Sequence, residues 1–404
     1  MKFTRYQMFV VAVLAFLQFT VILDFMILSP LGALLLPQLG ITTRQFGLLV
    51  SVYALSAGVS GLMTAGFADK FDRKRLLLFF YAGFILGTTL CGLVTSYHWL
   101  LAARIVTGIF GGVIGSITMA IAADLFPLEM RGRVMGVVQT SFAASQVLGL
   151  PLGLWLATRW SWHAPFFMIA GIGTAVGVVI ARGLKPIDAH LLIKNNRSAL
   201  QHLFKTVSKP AYLRGFSAMI LLATGGFMLM PFGSAYTVNN LGIPLTKLPL
   251  IYLVTGVCSI IAGPLVGRLS DRTGKYPIFF MGTVLSIIMV TIYCHLGISP
   301  VWLVMVVNVL LFIGISGRMI ATSALISAIP DLKDRGAYMS VNSSLQQFSG
   351  GVASALAGLI VVQTAGGRID RYGLLGGAVV TAMVITLGLM YSVHKMVAAK
   401  LKGK

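Results

Sequence analysis

Thr64-Ala-Gly-Phe-Ala-Asp-Lys-Phe-Asp-Arg-Lys-Arg75 stands between two long apolar runs, and Gly263-Pro-Leu-Val-Gly-Arg-Leu-Ser-Asp-Arg-Thr-Gly-Lys275 stands between two more. Each stretch crowds charge and helix-breaking residues into a short turn, and Asp69 and Asp271 lie 202 positions apart. A second pair repeats at nearly the same distance. Phe126-Pro-Leu-Glu-Met-Arg-Gly-Arg-Val-Met-Gly136 resembles Ile329-Pro-Asp-Leu-Lys-Asp-Arg-Gly-Ala-Tyr-Met-Ser340, and their Arg-Gly pairs, at 131 and 335, are 204 apart. The chain reads as a duplicated half of about 200 residues, as repeat-built membrane folds do.

Of the 404 residues, 57% are hydrophobic and 10% charged, a balance no soluble core requires and one that marks a polytopic membrane protein. A helix needs about 20 apolar residues to cross about 30 Å of hydrocarbon. Twelve such runs occur: 9–36, 46–67, 76–97, 100–126, 134–156, 164–181, 212–238, 248–269, 278–296, 301–329, 337–362 and 374–397. The fold class expected is therefore all-α integral membrane, twelve transmembrane helices in two pseudo-symmetric six-helix bundles. Lys2 and Arg5 ahead of the first run suit a signal peptide, but the run continues past Asp24 to Pro37 with no small-residue cleavage site, so it reads as the first span. Cys91, Cys258 and Cys294 stand singly in apolar runs, without the spacing of a disulfide or a metal site, and read as small core residues.

The net charge of +21 raises the question of nucleic acid, and its distribution answers it. With the N-terminus cytoplasmic, 24 Lys and Arg fall at the cytoplasmic ends and loops, against Arg44, Arg159, Lys247, Arg368 and Arg371 on the other side. That asymmetry puts both termini in the cytoplasm by the positive-inside rule, with some attraction to anionic lipid headgroups. The longest polar interruption, 182–214, holds Leu191, Leu192, Leu200, Leu203 and Phe204, enough for a short interfacial helix. It divides an N-terminal bundle, 1–181, from a C-terminal bundle, 215–404.

With these residues in view, the whole chain resembles the major facilitator superfamily, whose signature after the second span is Gly-x-x-x-Asp-Arg/Lys-x-Gly-Arg/Lys. Gly267, Asp271, Arg272, Gly274 and Lys275 match it in full; in the first half Asp69, Lys70, Arg73 and Lys74 match, while Ala65 and Asp72 replace the two glycines. Arg104-Ile-Val-Thr-Gly108 in the fourth run is similar to the superfamily's Arg-x-x-x-Gly motif. Leu23-Asp24 through Leu36-Pro37 is similar to the first helix of twelve-helix drug:proton antiporters and sugar-efflux permeases. Their fifth-span Gly-Pro-x-x-Gly-Gly signature is met only in part, by Gly149-Leu-Pro151-Leu-Gly153. The resemblance implies the major facilitator fold and secondary active transport by alternating access. Asp69, Arg73, Asp271 and Arg272 then act as a conformational latch that does not touch substrate. Physically, the aspartates suit helix N-termini and the cations suit pairing with Asp124 or Glu129.

Ionisable residues left inside apolar spans are the candidates for function. Asp24 is the single acid near the middle of a run, and a carboxylate there must be protonated, paired or facing water. Asp24 and Arg104, one to two turns inside its run, are the candidate proton-coupling residues; a fixed salt bridge and a snorkelling arginine are their bland counterparts. Arg318 lies too deep to snorkel and either pairs with Asp24 or binds an anionic group of the substrate. Runs five and eleven are rich in amides and hydroxyls, so Gln139, Gln146, Asn342 and Gln346 are candidate substrate-binding residues, joined by Tyr236; serines in these runs suit helix packing equally well.

The function expected is proton-coupled efflux of a hydrophobic or amphiphilic small molecule, drug-like or sugar-like. An importer or facilitator of sugar or organic anion is the alternative, with Arg318 and the amides as its site. An enzyme is not expected, because the six histidines fall mainly at run ends or in loops and form no catalytic cluster. No cofactor beyond the proton gradient and no metal is expected. The expected partners are a small-molecule substrate, protons and membrane lipids, with no nucleic acid, for a monomer in a bacterial inner membrane.

Overall fold

The computed structural model describes residues 3–64, 71–188, 191, 209–331 and 334–402. Within them the chain is helical apart from connections and one hairpin, where Val362–Gln363 pairs antiparallel with Ile369–Asp370. Among the described residues, eleven helices are long and apolar enough to cross a membrane. The twelfth long helix, Arg335–Ile360, has 26 residues, about 39 Å at 1.5 Å per residue. It falls short on hydropathy because Asn342, Ser343, Ser344, Gln346 and Gln347 dilute its apolar residues, and it lies packed along the second span, Thr43–Thr64.

Helix ends overrun the apolar runs, since a helix continues without penalty into the headgroup zone. The third span starts at Arg73 and the eighth ends at Thr273. The first two spans start at capping boxes: Thr4 with Gln7, and Thr42 with Gln45. Trp99, Trp160 and Trp302, each 65% exposed or more, stand where spans reach the face opposite the termini, as interfacial indoles do.

The first span is not the continuous helix that its apolar run predicts. It runs Arg5–Ile27, breaks at residues 28–31 around Pro30, and resumes as Gly32–Gln38. The seventh breaks in the same place: Pro210–Leu229, a 3-10 turn Met230–Phe232, then Gly233–Asn239. Ser29-Pro30-Leu31-Gly32 and Met230-Pro231-Phe232-Gly233 are 201 apart, so the break belongs to the repeat. Proline withholds a helical N–H and forces the kink. The two breaks face each other: Ser234 Oγ donates to the Ser29 carbonyl at 3.0 Å, and Phe46 packs edge-on to Phe232. Leu39-Gly40-Ile41 and Leu241-Gly242-Ile243 extend the symmetry, with both glycines at positive φ, 59° and 70°.

Burial shows how the halves meet. On the face that carries the termini there are two separate cores. One gathers Leu14, Tyr81, Phe84 and Ile114 of the N-terminal half, the other Phe216, Phe279, Leu325 and Tyr338 of the C-terminal half. Toward the opposite face a single core runs through both, joining Leu35, Phe46 and Phe166 to Phe232, Tyr293 and Leu375. Hydrogen bonds cross between halves in this joined region: Thr43 Oγ1 to the Val361 carbonyl and Ser51 Oγ to the Gly351 carbonyl, both 2.7 Å. The halves are thus closed together at one face and separately packed at the other.

Candidate functional site

The candidate site grows from Asp24, three residues before the first span breaks. One carboxylate oxygen, Oδ2, accepts from Arg104 Nη1 at 2.8 Å; the other, Oδ1, accepts from Thr88 Oγ1 at 3.1 Å. The same Nη1 also reaches the Asp24 carbonyl at 3.2 Å. Arg104 lies seven residues into the fourth span, Tyr97–Leu125, and its guanidinium carbon sits 4.4 Å from the centre of the Tyr53 ring. Asp24, Arg104, Thr88, Cys91 and Thr107 are all wholly buried. Four spans therefore converge on one ion pair, and of the two arginines that the sequence offers to Asp24 the structure uses Arg104.

Arg104 Nε and Nη2 have no hydrogen-bond partner among the described residues. The pair cancels charge yet leaves one edge of the guanidinium unsatisfied, an arrangement that costs free energy in a low-dielectric interior. Phe25, next in sequence to Asp24, packs 5.3 Å from Tyr53 and 5.7 Å from Phe227 of the seventh span. The ion pair is thereby one residue removed from the contact between halves. Tyr53 and Thr88 escape sequence reading because each looks like an ordinary member of an apolar run; the signal for Thr88 is a hydroxyl at mid-span.

The loop residues are placed unequally. Arg73 Nε meets Asp124 Oδ2 at 3.1 Å, tying the third span to the end of the fourth. Asp69 lies outside the described residues. Asp72, at the position of a family glycine, caps the third span by accepting from the Arg75 N–H at 2.8 Å, and also accepts from the Ile187 N–H at 2.6 Å. Gly274, its repeat equivalent, instead turns the chain at φ 98°, ψ 158°. Asp271 pairs with Lys275 across the Gly274 turn, at the start of the next helix, and Arg272 is exposed. No counterpart of Asp124 stands in the second half, where Asp334 takes Lys209 and Tyr212, and Asp331 takes Lys400.

The amides do not converge on Asp24. Gln139 is exposed, Gln146 and Gln346 are half-buried, and Asn342 is buried with no partner for its Oδ1 among the described residues. Ser141 and Ser145 donate to the carbonyls of Ala15 and Phe19, fastening the fifth span to the first. Tyr236 lies near the opposite face, stacked 4.0 Å from Tyr372, its hydroxyl shared between the carbonyls of Cys294 and Leu296. Arg318 is buried in the C-terminal half, with its guanidinium carbon 6.0 Å from the Phe279 ring centre. The interfacial helix expected in 182–214 falls almost wholly on residues outside those described.

Comparison with known proteins agrees with this architecture. A family model described as Major Facilitator Superfamily matches residues 14–354 and again 215–401. An uncharacterized MFS-type transporter of Bacillus subtilis, YbcL, is 25% identical over 86% of this chain and 87% of its own. A probable sugar efflux transporter of Helicobacter pylori (strain G27) is 23% identical, covering 82% of each chain. Among solved structures, a bacterial homolog of the human lysosomal transporter Spinster, in an inward-facing, unoccupied conformation, superposes with a TM-score of 0.72. It is 15% identical and covers 98% of this chain and 97% of its own, a likeness of fold.

Proposed function

The chain belongs to the major facilitator superfamily, and from that membership we propose that it exports a hydrophobic or amphiphilic small molecule, drug-like or sugar-like, in exchange for protons. It is a multi-pass membrane transporter of small molecules; direction and coupling are the added steps. Export is supported by likeness to a probable sugar efflux transporter. Proton coupling is supported above all by the buried Asp24–Arg104 pair.

The chemistry of that pair favours coupling. Ionised, Asp24 neutralises Arg104, and both charges are tolerated in the membrane interior. A proton on Asp24 leaves Arg104 a buried, uncompensated cation, a state that costs several kcal/mol. Rocking the halves so that water reaches the guanidinium relieves that cost, which links proton uptake to the exchange of access. The distribution of Lys and Arg favours cytoplasmic termini in a bacterial inner membrane. The divided cores would then face the cytoplasm, the side from which an exporter loads.

The test is transport in proteoliposomes with an imposed pH gradient, using labelled sugars and fluorescent neutral, anionic and cationic amphiphiles. Movement of one class that follows the gradient is expected. Equal movement with the gradient collapsed would reject coupling.

A further inference from the structure

Residues 209–404 contain four acids, and each is committed near a membrane surface: Asp271 to Lys275, Asp331 to Lys400, Asp334 to Lys209 and Asp370 to Arg368. Arg318 lies between those surfaces, ten residues before the end of Val301–Ala328, which is about 15 Å along the helix axis. Its residue is 3% exposed. No carboxylate pairs with it among the described residues, and its Nε and Nη2 lack hydrogen-bond partners. The one acid near the middle of a span, Asp24, is taken by Arg104 in the other half. One turn along the same face, the buried Thr322 hydroxyl also lacks a partner among the described residues.

A buried guanidinium with no counter-charge is unfavourable by several kcal/mol, and arginines at such depth either pair or mark a substrate path. Nε and Nη2 form the edge of the guanidinium that takes a carboxylate or phosphate in a two-point, parallel hydrogen-bonded pair. Arg104 has the same edge free, but its charge is already met by Asp24. The C-terminal half thus holds a positive charge, a bidentate donor edge and a neighbouring hydroxyl that no hydrogen-bond partner or carboxylate among the described residues satisfies.

We infer that Arg318, with Thr322, receives an anionic group, carboxylate or phosphate, of the transported molecule. The cargo supplies the counter-charge that this half of the chain withholds, and the substrate class narrows to organic anions with an apolar body. The inference rests on the transport reading and is independent of proton coupling.

Four probes sharing one aromatic body separate charge from hydrophobicity: benzoate, phenyl phosphate, benzyl alcohol and benzylamine. Thermal unfolding of the full chain is followed in phosphatidylcholine nanodiscs with no pH gradient, so the outcome does not depend on coupling. Benzoate or phenyl phosphate is expected to raise the wild-type midpoint, and the alcohol and amine are not. Arg318→Gln should weaken the anion response about tenfold or more, Arg318→Lys should keep part of it, and Thr322→Val should fall between. Ligand-free Arg318→Gln should be at least as stable as wild type, because an unpaired buried charge has been removed.

An equal response to all four probes, no anion response in wild type, or an anion response that survives Arg318→Gln overturns the inference. So does a marked drop in the ligand-free midpoint of Arg318→Gln, which would mean that the protein itself holds the arginine. A parallel set in nanodiscs containing phosphatidylglycerol identifies the source of the anion. Arg318-dependent stabilisation by that lipid alone, with the soluble anions then inert, would assign a headgroup and sink the cargo reading. An anion response in a protein whose transport ignores the pH gradient would retain this site and remove only the coupling.

Discussion

Asp24 and Arg104 meet at 2.8 Å with neither side chain exposed at all, and Thr88 holds the second carboxylate oxygen so that the pair has one fixed geometry. Removing one partner of such a pair leaves the other charge buried and alone, at a cost of about 3–5 kcal/mol. Arg104→Gln and Asp24→Asn should each lower the unfolding midpoint in detergent, and the double variant should recover most of the loss. Additive losses in the double variant would show that the two residues do not act as a pair.

Asp72 and Gly274 occupy equivalent places in the two loops and solve the turn differently. Gly274 at φ 98°, ψ 158° is in a region that other residues enter at about 1–3 kcal/mol, so Gly274→Ala should be destabilising by that amount. Asp72→Gly, which restores the family residue, should also be destabilising, by about 1 kcal/mol, because both carboxylate hydrogen bonds are lost. Equilibrium unfolding of the two variants checks both signs.

Gly47 lies where the backbones of the two halves meet: a Cβ there would fall 2.9 Å from the Gly358 Cα and the Ser354 carbonyl. Gly47→Leu should wedge the second and eleventh spans apart. Labelling of Ser51→Cys by a membrane-impermeant maleimide added at the face opposite the termini should then rise several-fold. Gly115→Leu, with nothing within 4 Å of the added Cβ, should leave it unchanged.

Lys400 hydrogen-bonds Asp331 and holds its carboxyl below the ordinary 3.8. A depressed carboxylate stabilises the fold above its unfolded value and stops doing so as pH falls through the folded one. Asp331 is more than half exposed, so the contribution is under about 1 kcal/mol. Lys400→Met should lower the midpoint slightly at neutral pH, and the gap should narrow without closing once the pH is below the folded value, because the hydrogen bond from Lys400 to the Ile329 carbonyl is lost at every pH.

Much of this was legible in the sequence because charge and hydropathy are strong signals in a membrane chain. The spans and the duplicated loops could be anticipated from residue type and spacing, whereas the sequence offered Asp24 two arginines and the loop cations two acids, and the fold shows the contacts of Asp24 with Arg104 and of Arg73 with Asp124. The breaks at Pro30 and Pro231 could not, since a hydropathy run continues smoothly through a proline whose lost hydrogen bond is a local matter. Asp72 read as a departure from a glycine, and its capping role depends on Ile187, which lies 115 residues on. Tyr236 carried no mark of depth in the sequence, and only the fold sets it in the tyrosine cluster near the opposite face. The unmet edge of Arg318 also depended on the fold, because it required knowing where all four C-terminal acids go.

The most direct measurement compares gradient-driven transport with counterflow in proteoliposomes for wild type, Asp24→Asn and Asp24→Glu. Counterflow exchanges labelled for unlabelled substrate without net proton movement, and so reports a folded, rocking protein. The account expects Asp24→Asn to keep counterflow while losing movement driven by the pH gradient, and Asp24→Glu, which still titrates, to keep part of both. Gradient-driven transport in Asp24→Asn equal to wild type would contradict it, leaving the Asp24–Arg104 pair a structural salt bridge.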